Sequence, residues 1–262
     1  MQFIVQGYPA YAYTGGRPFE ARSPAIVFIH GAAFDHSVWQ WQSRYFAHHG
    51  HTVLAVDLPA HGRSPGRARP TIEAMAAWIA ALIEAAGLEH AAVVGHSMGS
   101  LVALQCAIAH AERVSKLALV GTSLPMPVGE AFLAAAGDDS PAALDMEAVW
   151  GHARNAMLAT SAVPGVALVG ASRQLNGRAR THVLHTDLAA CQAWQAPPAE
   201  KLARLAMPIL VVAAKRDQMT PFRAGQAAAA MLPRAQLAAL DAGHAMMTEA
   251  PRELLRVLRG FL

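Results

Sequence analysis

Residues 91–104 read AAVVGHSMGSLVAL. A run of small and branched apolar residues ends at Gly95. Ser97 then stands between two glycines, and a helical pattern resumes after Gly99. A short apolar run of this kind reads as a strand buried on both faces. Gly95-His96-Ser97-Met98-Gly99 matches G-x-S-x-G, a strand–turn–helix corner in which the serine is strained and its hydroxyl projects outward. The flanking glycines omit side chains that would collide with the adjoining strand and helix. The Met98 amide falls at a helix N-terminus, where free N–H groups favour developing negative charge. The competing reading is a plain tight turn that contains a serine.

Outward from this corner the chain alternates. AIVFIH (25–30), HTVLAVDLP (51–59), HAAVVG (90–95), VSKLALVGTS (114–123), MPILVVAAKRD (207–217) and QLAALDAGH (236–244) read as strands. Helical patterns fill 37–49, 71–87, 100–110, the region around 222–231, and 251–262. Thr71 is placed to cap the second of these, Met75, Ile79, Leu82, Ile83 and Ala86 form its apolar stripe, and Gly87 closes it. QFIVQ and PAYAYT read as an antiparallel hairpin joined through Gly7-Tyr8. Such alternation predicts an α/β fold with a mostly parallel central sheet flanked by helices. The rhythm breaks from 125 to 203, where alanine-rich amphipathic patterns and turn signals replace buried strands. That stretch reads as a helical cap inserted into a core formed by 1–124 and 204–262.

Composition narrows the class. The chain has 262 residues, 54% hydrophobic and 15% charged, which suits a large buried core and disfavours intrinsic disorder. The net charge is +3, and the densest basic group, Arg63, Arg67 and Arg69, lies in the loop-like GRSPGRARP. Nucleic-acid binding would want a basic face interleaved with aromatics, so no nucleic-acid partner is expected. No apolar window has the length of a membrane span or a signal peptide, so a soluble, cytoplasmic protein with no membrane association is expected. Two cysteines, Cys106 and Cys191, show no metal-ligand spacing, and Cys106 falls in an apolar helix as a buried thiol. Nothing bears on oligomeric state.

Reactive groups of a parallel sheet gather at the carboxyl ends of its strands. His30, Asp57, Ser97, Ser123, Asp217 and His244 all sit just past predicted strands. Serine needs a base to take its proton. Of 13 histidines, His244 follows the last strand and precedes the final helix. His96 points into the packing of the corner, and His30 and His61 suit structural roles in glycine-containing loops. The carboxylate that orients the imidazole should follow another strand. Asp217 fits. Asp57 precedes the serine and suits loop fixing, while Asp241 lies too near His244 to orient it. The order is then Ser97, Asp217, His244.

IHGAAFDHSVW (29–39), VLAVDLPAHGRS (53–64), VVGHSMGS (93–100), ILVVAAKRDQMTP (209–221) and LDAGHAMM (240–247) occur in that sequence order. With these motifs the chain resembles the α/β-hydrolases along essentially its whole length. The resemblance implies Ser97 as nucleophile, Asp217 as acid and His244 as base. It implies an oxyanion hole from the amides of Ala32 and Met98, with Ala33 a lesser second donor. It implies a cap that shapes the substrate pocket. Phe34, Met126, Phe132, Leu133, Trp150 and Met157 are candidates to line it, because such pockets are mostly apolar. Serine at the corner, where relatives that open epoxides or displace halide carry aspartate, disfavours those chemistries. The leading expectation is an esterase that cleaves a small-molecule carboxylic ester through an acyl-enzyme, with no metal or organic cofactor. The same triad could serve an enol-lactone, a thioester, a diketone carbon–carbon bond or perhydrolysis. A slowly hydrolysing ligand sensor is the alternative from another class.

Overall fold

The computed structural model describes residues 1–157 and 167–262, with residue 157 described by its backbone alone. The strands are β1 (Gln2–Val5), β2 (Tyr8–Tyr13), β3 (Ala25–Ile29), β4 (Thr52–Val56), β5 (Ala91–His96), β6 (Val114–Val120), β7 (Ile209–Ala214) and β8 (Gln236–Leu240). They form one sheet in the order β1-β2-β4-β3-β5-β6-β7-β8. The pairs β1–β2 and β2–β4 are antiparallel and all others parallel. The predicted α/β class and parallel sheet are therefore present. The hairpin turn differs slightly. It is Gln6-Gly7, both with positive φ (51° and 82°), and Tyr8 already belongs to β2. A two-residue turn of that hand matches the natural twist of the strands.

Every residue of β4, β5 and β7 is buried, as their uninterrupted apolar sequences require. Helices α1 (Gln40–Ala47), α2 (Ile72–Ala85) and α3 (Met98–Ala109) cover the first half of the sheet. In α2 the Thr71 hydroxyl accepts from the Ala74 amide at 3.1 Å. At its far end Gly87, at φ +70°, lets the Leu88 amide reach the Ile83 carbonyl at 3.1 Å. Between β6 and β7 the described elements are all helical: α4 (Glu130–Gly137), α5 (Pro141–Trp150), α6 (Arg154–Met157), α7 (Leu168–Asn176), α8 (Val183–Ala193) and α9 (Ala199–Leu202). The chain then adds α10 (Phe222–Met231), α11 (Met246–Glu249) and α12 (Pro251–Phe261). No helix among the described residues is long and apolar enough to cross a membrane.

The strand order explains where a site can form. From β3 the chain goes to β4 on one side, then crosses to β5 on the other. The loops leaving β3 and β5 therefore diverge, which opens a crevice at their carboxyl ends. Residues 30–34 and Ser97 occupy those ends.

Close packing elsewhere is set by single absent atoms. A Cβ on Gly225 of α10 would lie 2.6 Å from the Ala213 Cβ of β7, whereas one on Gly260 of α12 would meet nothing within 4 Å. Alanine gains about 1 kcal/mol over glycine in a helix, and overpacking costs about 1–3 kcal/mol. Gly225→Ala is expected to lower the chemical-denaturation midpoint and Gly260→Ala to raise it slightly. Equal shifts in both variants would contradict this account of the α10–β7 contact.

Candidate functional site

Ser97 follows β5 at φ 52° and ψ −122°, a backbone conformation that L-residues rarely adopt. Its glycine neighbours leave no alternative. A Cβ on Gly95 would lie 1.9 Å from the Gly99 carbonyl oxygen, and one on Gly99 would lie 2.5 Å from the His30 oxygen. The Ser97 amide donates to the Val120 carbonyl at 2.9 Å, which pins the corner to β6. Ser97 is half-buried, while Met98 is fully buried at the first turn of α3.

Asp217 and His244 come together at the ends of β7 and β8. His244 Nδ1 lies 2.7 Å from Asp217 Oδ2. A carboxylate can only accept, so Nδ1 carries the proton and the neutral imidazole leaves Nε2 as its acceptor. Asp217 Oδ1 accepts from the Met219 and Thr220 amides, each at 2.8 Å, and Oδ2 from the Thr220 hydroxyl at 2.8 Å. Burial would raise the Asp217 pKa, but His244 and these donors outweigh it and hold the carboxyl below its usual range. His244 Nε2 is buried and has no hydrogen-bond partner among the described residues. It and Ser97 line the same cavity of about 360 Å³. Among the described residues no hydrogen bond joins them.

The loop carrying His244 is held from several directions. The His96 Nε2–H donates to the His244 carbonyl at 3.0 Å, and the two rings stand 4.6 Å apart. Burial, reinforced by His244, drives the His96 pKa down to about 3, so this ring is neutral. Gly121, at φ +62°, presents no side chain to the His244 ring, which a Cβ there would meet at 3.2 Å. The Ala245 amide donates to Gly151 at 2.8 Å, and Glu249 accepts from Gly243 at 3.0 Å and from Ala153 at 3.3 Å. The loop after β8 is thus bonded directly to the segment that follows α5.

After β3, His30 Nε2 accepts from the Leu58 amide at 3.1 Å, so its Nδ1–H donates to the Gly31 carbonyl at 2.8 Å. Burial, with His61 adding to it, pushes its pKa down to about 4. The Ala33 amide donates to Asp187 Oδ2 of α8 at 2.9 Å, so it is already engaged. Among the described residues the amides of Ala32 and Met98 have no backbone or side-chain acceptor. His61 meets two acceptors, the Pro59 carbonyl at 3.0 Å and Asp187 Oδ2 at 2.8 Å. Burial alone would lower its pKa, yet the Asp187 carboxylate prevails and the net shift is upward. A charged His61–Asp187 pair therefore joins the loop after β4, the loop after β3 and a helix of the inserted segment.

Phe34, Met126, Phe132 and Trp150 line the cavity with Ala32 and Met98, and Phe132 and Trp150 meet edge to face at 5.7 Å. Leu133 instead packs against the main apolar core. Met157 closes α6, and its side chain lies outside the described residues. Sequence reasoning missed Glu147, Cys191 and Thr220 as further lining residues and Asp187 behind them. Glu147, Asp187 and Cys191 sit in ordinary-looking helices, and Thr220 sits in the turn that binds Asp217 three residues before it. Burial, with Asp187 nearby, pushes the Glu147 carboxyl up to about 8, partly offset by Asn176. Cys106 is buried, and burial pushes its thiol up to about 12.

The rival acids serve other ends. Asp57 accepts from the His36 and Arg63 amides at 2.7 and 2.8 Å and from the His36 ring. Asp241 pairs with Arg216 at the surface. Asp35, His36 and Asp57 bring potential metal-ligand atoms within 4.8 Å of one another. Their oxygens already accept from backbone amides and from the Ser37 hydroxyl.

A family model for the alpha/beta hydrolase fold matches residues 24–251. A pimeloyl-[acyl-carrier protein] methyl ester esterase of Aromatoleum aromaticum is 31% identical, covering 88% of this chain and 94% of its own. The dihydrolipoyllysine-residue acetyltransferase component of the acetoin cleaving system of Cupriavidus necator is 39% identical over 122 residues, 46% of this chain. That match spans 30% of the acetyltransferase's length. In three dimensions the enol-lactonase of Burkholderia xenovorans LB400 superposes with a TM-score of 0.86 at 21% identity, covering 100% of this chain and 99% of the other.

The His61–Asp187 pair sets a pH signature. A group whose pKa is raised on folding contributes its full stability below the unfolded value, here 6.5, and loses it as pH rises through the folded value. Glu147 adds a falling limb of the same sign between 4.5 and about 8. Asp187→Asn is expected to cost about 3–5 kcal/mol below pH 6.5, the price of breaking a buried pair. It should also flatten the His61 part of the decline above it. Chemical denaturation at stepped pH checks this, and an unchanged slope above pH 6.5 would refute the charged pair.

Proposed function

The chain belongs to the alpha/beta hydrolase fold family, and on that premise we propose that it is a serine hydrolase cleaving small carboxylic esters through an acyl-enzyme. The observation that carries this reading is the 2.7 Å His244–Asp217 bond, with the unpartnered His244 Nε2 opening on the cavity that holds Ser97.

In the proposed cycle Ser97 Oγ attacks the ester carbonyl as His244 Nε2 takes its proton. Asp217 keeps the imidazole in the tautomer that presents Nε2 and stabilises the imidazolium that forms. Negative charge develops on the carbonyl oxygen at the free amides of Ala32 and Met98. Each such donor typically contributes ~10²–10³ in turnover. His244 then protonates the departing alcohol, and water repeats the sequence on the acyl-enzyme. The Ala33 amide takes no part, since Asp187 holds it. A lactone places the same acyl carbon and leaving oxygen in one ring, so the same steps apply to it.

Ser97→Ala is expected to retain cooperative unfolding, to lose labelling by a fluorophosphonate probe and to lower ester turnover by ~10³-fold or more. Stoichiometric labelling of the variant would overturn the assignment of Ser97. Asp217→Asn should lower kcat by about 10⁴ while leaving KM for short p-nitrophenyl esters nearly unchanged, because orientation of the imidazole acts in the transition state. A rise confined to KM would place Asp217 in binding instead.

A further inference from the structure

Glu147 is 5% exposed, lines the cavity, and has an Oε2 atom with no hydrogen-bond partner among the described residues. Apolar side chains line the same cavity, among them Phe132, Trp150, Leu188 and Cys191, while Asn176 and Asp187 are the polar groups near enough to act on the carboxyl. An unsatisfied buried carboxyl is costly in such a place unless something bound in the cavity completes it. The proposed chemistry at Ser97 uses no such group.

The charge around it restricts what that something can be. Neither lysine nor arginine appears among the described residues that line the cavity. A substrate carboxylate would therefore find no cation, and it would enter near both Glu147 and the buried Asp187. An ammonium group would have to strip the proton that burial and Asp187 hold on Glu147. A neutral oxygen acceptor meets neither penalty, since a protonated carboxyl has one O–H to give.

We propose that Glu147 is a specificity-determining residue whose carboxyl O–H donates to an uncharged oxygen, a carbonyl or ether, set along the substrate away from the bond that is cleaved. This inference rests on the esterase reading of the same cavity. It names the substrate class as neutral oxygenated acyl esters and lactones, in preference to plain alkanoates, half-esters of diacids or amino-acyl esters.

The test compares p-nitrophenyl alkanoates with matched oxo-alkanoates in which the second carbonyl is moved stepwise along the chain. The carboxylate-tipped and ammonium-tipped analogues are run beside them. At the best position wild type should favour the oxo ester by about 10–100-fold in kcat/KM, the range expected for satisfying a buried donor. Glu147→Gln keeps an N–H donor and should retain most of that preference, whereas Glu147→Met should bring the ratio close to one. A wild-type ratio near one at every position overturns the proposal, and so does a ratio that survives in Glu147→Met. An ammonium preference lost in Glu147→Gln would assign an ionised carboxyl and overturn it equally. Calorimetric binding of methyl oxo-alkanoates and methyl alkanoates to Ser97→Ala separates this from the catalytic reading. Selective binding of the oxo ester by Ser97→Ala, without turnover in wild type, supports the role of Glu147 while sinking the esterase. Turnover that depends on Ser97 but shows no selectivity does the reverse.

Discussion

Two missing side chains fix the geometry on which the site depends. The strand ending at His96 and the helix beginning at Met98 approach so closely that any Cβ at Gly95 or Gly99 would enter backbone atoms. Between them Ser97 is forced to a positive φ of 52°. That strain is tolerated because the Val120 carbonyl and the packed start of α3 hold the backbone on either side. A more relaxed corner would drop the hydroxyl back among its neighbours and leave the cavity without it.

Around this corner the structure relies on backbone-directed bonds more than on side-chain pairs. Asp187 occupies the amide of Ala33, and among the described residues the amides of Ala32 and Met98 meet no acceptor. The same carboxylate holds His61, so one buried charge sets the shape of the loop after β3 and anchors the inserted helices to the sheet. Asp217 is fixed in a comparable way by two amides and a hydroxyl before it meets His244. Asp217 is satisfied within its own turn and is therefore rigid when it reaches its histidine, whereas Asp187 is held by Ala33 and His61, both far away in sequence.

The sheet was readable because β4, β5 and β7 are apolar without interruption and each is followed by a helix pattern, that after β4 with visible caps. Ser97, Asp217 and His244 could be singled out as candidates because each comes shortly after a strand, and strand ends converge in a parallel sheet. The hairpin turn was misplaced by one residue because Gln6 gives no signal for the positive φ it adopts. Glu147 and Asp187 were not legible. Glu147 shares α5 with the exposed Asp145 and Asp187 is the one acid of α8, and only the packing of distant helices shows that neither faces water. Leu133 and Phe132 are adjacent and equally apolar in sequence. Which of them faces the cavity is decided by the rotation of α4, a quantity that composition does not carry.

The attachment of Ala245, Gly243 and Glu249 to residues 151–153 bears on how molecules come and go. A hinged flap that swung away from the sheet at this point would drag the His244 imidazole with it and break its 2.7 Å contact with Asp217 at each opening. The wall beside the base therefore behaves as fixed masonry. Movement there is left to side chains that line the cavity, such as Trp150 and Met126, whose rotamers flip in picoseconds to nanoseconds when exposed and more slowly when packed. Exchange of whatever fills the cavity is then governed by how tightly that chamber grips it.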